Sequence, residues 1–293
     1  MTLSPSQSAR STRSGLAAFA SAVAALSMLP IGASAQTLFA GNGDVAGLTP
    51  VVNQFRTALG PLNPNLPVNV GSGRREINWD AVPDARSDPN FLPGNFFNGN
   101  VSPRARGVVL STPGLGFLVS ADASNPTNTP VAFGFPNDFT PFSAERMFTP
   151  VGSLITDVTF FLPADQTTRA GVKAFGAVFE DVETDATTMA FFDIHDQPLR
   201  TVTVLRSDVS GSLSFAGLQF DSPLIARVRI TTGNAVFQAN GRFTGGNDGV
   251  VMDDFIYAEP MVAVPEPGTW ALMLAGGAGL VALRRRRLDR LAD

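Results

Sequence analysis

Ile225-Ala226-Arg227-Val228-Arg229-Ile230-Thr231 places Ala226, Val228 and Ile230 in one phase of an extended chain and Arg227 and Arg229 in the other. Successive strand side chains point to opposite faces, so this period of two predicts a strand with one face in a core and one in water. Residues 199–205 repeat the pattern, with Val202 and Val204 against Thr201 and Thr203, and residues 155–162 put Val158, Phe160 and Leu162 in one phase. Further short apolar runs lie at 108–110, 117–120, 172–179, 189–193, 213–220 and 250–257, separated by turn formers such as Asp196-Gln197-Pro198 and Gly245-Gly246-Asn247-Asp248-Gly249. Many short strands so punctuated predict an all-β fold over residues 107–262, an antiparallel β-sandwich of jelly-roll type.

Residues 36–106 are rich in Pro, Asn and Gly and are expected to be an irregular segment packed on that core. One helix is predicted over 49–59, with Val51, Val52, Phe55 and Leu59 on one stripe. The composition suits a β-rich body: 28 Gly, 22 Pro, and 23 Phe against 2 Trp and 1 Tyr among 293 residues. With no cysteine, disulfides, thiolate metal sites and a cysteine nucleophile are excluded, and an apolar core must hold the fold. Residues 36–262 carry 14 Lys and Arg against 22 Asp and Glu, a balance of −8. So acidic a body argues against a nucleic-acid partner.

The two ends read differently. Arg10 and Arg13 precede an apolar stretch over 16–31, and Ala33-Ser34-Ala35 follows as a small-x-small cleavage site. This is a signal peptide over 1–35, with Ala33 and Ala35 flanking the cut made by signal peptidase and Gln36 as the expected first mature residue. At the other end, within 263–293, Val264-Pro265-Glu266-Pro267-Gly268-Thr269-Trp270 leads into an apolar stretch over 271–283 and then Arg284-Arg285-Arg286-Arg287. A single C-terminal membrane helix over 268–283 would be about 24 Å long, short of the ~30 Å hydrocarbon core. Four arginines favour the cytoplasmic side, which leaves the body outside. The prolines keep the Pro265-Glu266-Pro267 motif extended and open to a protease.

This tail resembles the PEP-CTERM sorting signal: a Pro-Glu-Pro motif, a short membrane helix and a basic end, covering about the last thirty residues. The resemblance implies a partner exosortase, transient residence in the inner membrane, and transfer to the cell surface or extracellular matrix. The alternative is a permanently membrane-anchored structural protein. The segments at 76–80, 175–182 and 250–257 are also similar to an uncharacterised family of secreted bacterial domains, which carries over no activity. In broad shape the body is similar to carbohydrate-binding jelly rolls, an analogy of fold alone.

Chemistry is sparse. The single histidine, His195, lies in the turn Asp193-Ile194-His195-Asp196, with no G-x-S-x-G elbow to support a triad. The single lysine, Lys173, is not in a phosphate loop. Two acidic groups stand out. The first is Glu180-Asp181-Val182-Glu183-Thr184-Asp185: if the strand before it continued, Asp181, Glu183 and Asp185 would share a face, where like charges repel. Asp253 and Asp254 interrupt an apolar strand, so one of them must point toward the core, where a carboxylate has to be paired, hydrogen-bonded or metal-bound. Calcium, an oxygen-seeking extracellular ion, is the cofactor that Asp181, Glu183, Asp185, Asp253 and Asp254 would suit, and a salt bridge from Arg146, Arg227 or Arg229 is the alternative. Trp79 is either a sugar-stacking platform or a core residue. The expectation is a non-catalytic surface or matrix protein with extracellular polysaccharide as a partner. The alternative is a secreted carbohydrate-active hydrolase using two carboxylates.

Overall fold

A computed structural model describes residues 35–263 and Gly276. The signal segment with Ala33, the motif Pro265-Glu266-Pro267 and the C-terminal membrane helix lie outside the described residues. Among the described residues no helix is long and apolar enough to cross a membrane. Ala35 is exposed, and the first strand begins at the next residue.

The chain runs β1 (Gln36–Gly43), α1 (Val45–Leu59), β2 (Arg74–Ile77), β3 (Val108–Ser111), β4 (Gly116–Val119), β5 (Phe148–Val151), β6 (Ile155–Phe160) and β7 (Ala174–Glu180). It continues with β8 (Thr188–Phe192), β9 (Pro198–Thr203), β10 (Leu213–Phe220), β11 (Arg227–Thr231), β12 (Val236–Phe237), β13 (Phe243–Thr244) and β14 (Val251–Ala258). The result is an antiparallel β-sandwich. Its larger sheet has the order β1-β10-β7-β14-β5-β4, with β2 also paired to β14. Its smaller sheet has the order β3-β6-β11-β8-β9, and β12 and β13 form a short ribbon.

The smaller sheet follows its alternation. Val158 and Phe160, Met189 and Phe191, and Val228 and Ile230 are buried, while the opposite phase faces solvent. On that outer face Arg229 stands directly across from Asp157 and bonds it at 2.8 Å, and Arg227 reaches the same carboxylate at 2.9 Å. Pro198 opens the edge strand β9, where a missing ladder donor costs least.

The larger sheet is buried on both faces at its centre: every residue of β7 and β14 is enclosed. One face meets the smaller sheet, where the Phe160 ring lies 6.0 Å from Phe175 and 5.5 Å from Tyr257. The other face receives α1 through Phe55, whose ring packs on Phe39 and Phe215. Gly176 and Gly217 sit opposite each other on β7 and β10 and make room for it. A Cβ at Gly176 would lie 2.7 Å from Phe215 and 3.0 Å from Phe55.

Residues 36–106 thus supply two strands of the larger sheet as well as the helix and loops laid over it. The helix begins at Val45 rather than residue 49, because the Asp44 side chain caps it by accepting the Gly47 amide at 2.8 Å. Pro50 falls inside the helix. Trp79 is a core residue, 1% exposed, stacked on Phe148 at 4.1 Å and donating its indole N–H to the Asp253 carbonyl.

Among the described residues one ion pair is wholly internal. Arg75 on β2 and Glu259, just past β14, are both buried and joined by two bonds, Nε to Oε2 at 2.7 Å and Nη2 to Oε1 at 2.9 Å. The remaining guanidinium donors reach the carbonyls of Ala105, Pro64 and Val68. Asn63 and the Val70 amide donate to the carboxylate.

Candidate functional site

Asp253 and Asp254 are both buried, not one in and one out. The strand register shifts between Met252 and Phe255, and a bulge breaks the two-residue period at this point. Neither carboxylate is left alone. Asp254 accepts from Arg56 Nη2 at 2.7 Å and from the Ser143 hydroxyl at 2.8 Å. Asp253 accepts the Phe142 and Ser143 backbone amides at 2.7 and 3.0 Å. Asp80 stands close by, taking the Arg146 amide at 3.0 Å, with the Ser143 hydroxyl 3.4 Å away. The arginine against Asp254 therefore comes from α1. Arg227 and Arg229 are committed to Asp157, and Arg146 to Asp84 and Asp122 at 2.6 Å each.

Burial dominates the protonation of this group. It raises the Asp253 carboxyl well above the usual range, with the Asp254 charge adding to it. It also raises Asp254 in spite of Arg56, and Asp80 in spite of its amide donors. Carboxyl groups this close do not all ionise together.

Glu180, at the end of β7 and the first acid of the 180–185 cluster, is the extreme case. It is fully buried, and neither carboxyl oxygen has a hydrogen-bond partner among the described residues. The nearby Thr140 amide helps it without meeting hydrogen-bond geometry. Burial first, then the Asp253 and Asp181 charges, hold its pKa well above the ordinary glutamate value. Below about pH 4.3 the side chain is neutral in folded and unfolded chains alike. Above that, the unfolded chain releases the proton while the folded chain keeps it. Stability then falls by up to about 1.4 kcal/mol per pH unit until the raised pKa is reached. Glu180→Gln is expected to remove this slope, so the variant's melting temperature gains on the wild type between pH 4 and pH 8. A difference that stays constant over that range would show Glu180 already ionised in the fold.

The acids at 181–185 do not share a strand face. β7 ends at Glu180, and Asp181 turns into the left-handed region at φ 62°. Its carboxylate accepts the Gly211 amide at 2.9 Å, and burial raises its pKa. Asp181 and Glu183 line a cavity of about 280 Å³ together with Asp138. Asp185 is exposed, 3.8 Å from Arg206. The turn is organised by Asp248, fully buried, which accepts the Glu183 and Thr184 amides at 3.2 and 3.0 Å. The Asn-Asp-Gly of that Gly-rich loop was the one sequence signal for it. Among the described residues no three His, Cys, Asp or Glu side chains are arranged to hold a metal ion. The requirement that called for calcium at Asp253 and Asp254 is met by Arg56, Ser143 and two amides. His195 lies in the exposed turn between β8 and β9, where Asp193 accepts its backbone amide at 2.8 Å.

The irregular loops at 78–106 enclose something the sequence did not announce: a cleft of about 410 Å³. Its walls include Val82, Phe96 and Phe97, and Arg86, Arg104 and Arg106 line it without any Asp or Glu. Arg106 is 6% exposed and lies 4.9 Å from the centre of the Phe97 ring, and Arg104 lies over Phe96 at 5.5 Å.

None of the curated proteins matches this chain. Residues 263–287 match the PEP-CTERM protein-sorting motif, so the chain carries the sorting signal of an exported, exosortase-processed bacterial protein.

Proposed function

We propose that the chain is a non-catalytic surface or matrix protein whose β-sandwich associates with extracellular polysaccharide. The observation that carries this reading is the sorting motif at 263–287, which follows the folded body within a few residues of β14 and destines that body for the cell exterior. The cleft supports it, since aromatic and polar walls of that size suit a sugar unit. The buried acids of β14 support it too, because each is engaged by backbone, serine or arginine rather than held free for substrate.

A hydrolase has one observation in its favour. Asp80, whose carboxyl is raised by burial, lines a cavity of about 460 Å³ with Asp122 and Glu145. A carboxyl whose pKa is raised, standing beside a second carboxylate, is the equipment of glycoside hydrolysis. The purified protein, incubated with a panel of polysaccharides, is expected to bind without releasing reducing ends. Reducing ends released by the wild type and lost in Asp80→Asn would overturn the non-catalytic reading in favour of the hydrolase.

A further inference from the structure

The cleft at 78–106 is electrostatically out of place. The body around it is acidic, with 22 Asp and Glu against 14 Lys and Arg over 36–262, yet this cleft is lined by three arginines and no acid. None of the three forms an ion pair with a described carboxylate, whereas seven other arginines do. Arg106 is the telling member. Its Nε donates to the Pro103 carbonyl at 3.1 Å and its Nη1 to the Glu76 carbonyl at 2.7 Å, and Nη2 makes no hydrogen bond among the described residues. Burial depresses its pKa, with Arg75 adding repulsion. A buried guanidinium without a counter-ion is costly, and a carboxylate from outside would relieve it.

The geometry points to a binding site for a carboxylated sugar, a hexuronate unit of an acidic polysaccharide. The inference rests on the polysaccharide reading and gives it a location and a chemistry. Phe96 is only partly buried and offers a flat apolar surface for the C–H face of a sugar ring. Arg104, stacked on that ring, is oriented by it, and a guanidinium fork matches a carboxylate in two parallel hydrogen bonds. Arg106 lies at a less hydrated position, where charge–charge attraction is stronger than at the surface. The surrounding negative field would repel a polyanion elsewhere on the body, which singles out this cleft by charge complementarity.

Binding of oligogalacturonate, free glucuronate and dextran to the full chain, followed by titration calorimetry, tests this. Oligogalacturonate is expected to bind, to bind more weakly as salt rises, and to bind at least tenfold more weakly to Arg86→Glu/Arg104→Glu. Both of those residues are exposed, so the melting temperature should not change. Arg106→Lys, which keeps the charge and loses the fork, should also weaken it. Oligogalacturonate bound equally by wild type and the double variant would overturn the cleft and leave the polysaccharide reading standing. Glucuronate bound by the wild type and lost in the double variant, with no polymer retained, would uphold the cleft and overturn that reading. No binding of any of the three would overturn both.

Discussion

Glu259→Ala is expected to unfold the protein at a melting temperature lower by about 6–20 °C. Removing this carboxylate leaves the Arg75 guanidinium buried and charged, its two strongest bonds gone and only carbonyls to replace them. Breaking one partner out of a buried pair costs about 3–5 kcal/mol. At roughly 2–4 °C per kcal/mol for a domain of this size, that is a large shift in thermal unfolding followed by circular dichroism. The loss comes from the orphaned charge more than from the missing attraction. The double variant Arg75→Met/Glu259→Leu, which removes both charges and keeps the volume, should therefore recover most of it. If Glu259→Ala melts within about 2 °C of the wild type, water has reached Arg75 and the pair is not sealed.

The second large effect is on sorting. Changing Glu266, or Pro265 and Pro267 together, removes the extended Pro-Glu-Pro motif inside the matched segment and leaves the apolar stretch and four arginines in place. Surface protein is expected to fall to a small fraction of its normal level, with the uncut chain accumulating in the inner membrane of a host that makes an exosortase. Intact-mass analysis of surface material should end near the motif. Surface protein that retains Asp293 would instead make the tail a permanent anchor.

The strands of the smaller sheet were readable because one face is wet: Val158, Val228 and Ile230 alternate with residues that water can reach. β1 was not: its half-covered phase, under α1, is Phe39, Gly41 and Gly43, and two glycines carry no apolar signal. The acids of β14 were readable as a problem, because a carboxylate amid apolar neighbours must be answered. The answer, Arg56, lies 198 residues away, and periodicity gives a face but never a partner. Glu180 is legible as the first acid of the 180–185 cluster, but nothing local reveals that it is sealed with no hydrogen bond to its carboxyl among the described residues. The cleft was invisible for a similar reason. It is built by loops with no period, and its property is the lack of acids opposite three arginines that are not neighbours in the chain.

The way the body meets its tail has a mechanical consequence. After β14 the chain is held at two more residues: Glu259, by its side chain on Arg75 and its amide on the Gly73 carbonyl, and Met261, by reciprocal backbone bonds with Gly171 at 2.8 and 2.9 Å. The tail that follows is therefore rooted in an interior strand, paired to β7 on one side and to β2 and β5 on the other. Tension applied from that end must first open the two fastenings. It must then slide β14 past its neighbours, so that many hydrogen bonds bear the force in parallel. The opposite end leaves from β1, an edge strand that can be peeled from β10 one bond at a time. A body tugged by flow while held at its C-terminal side thus presents its strong end to the load and leaves its weak end slack.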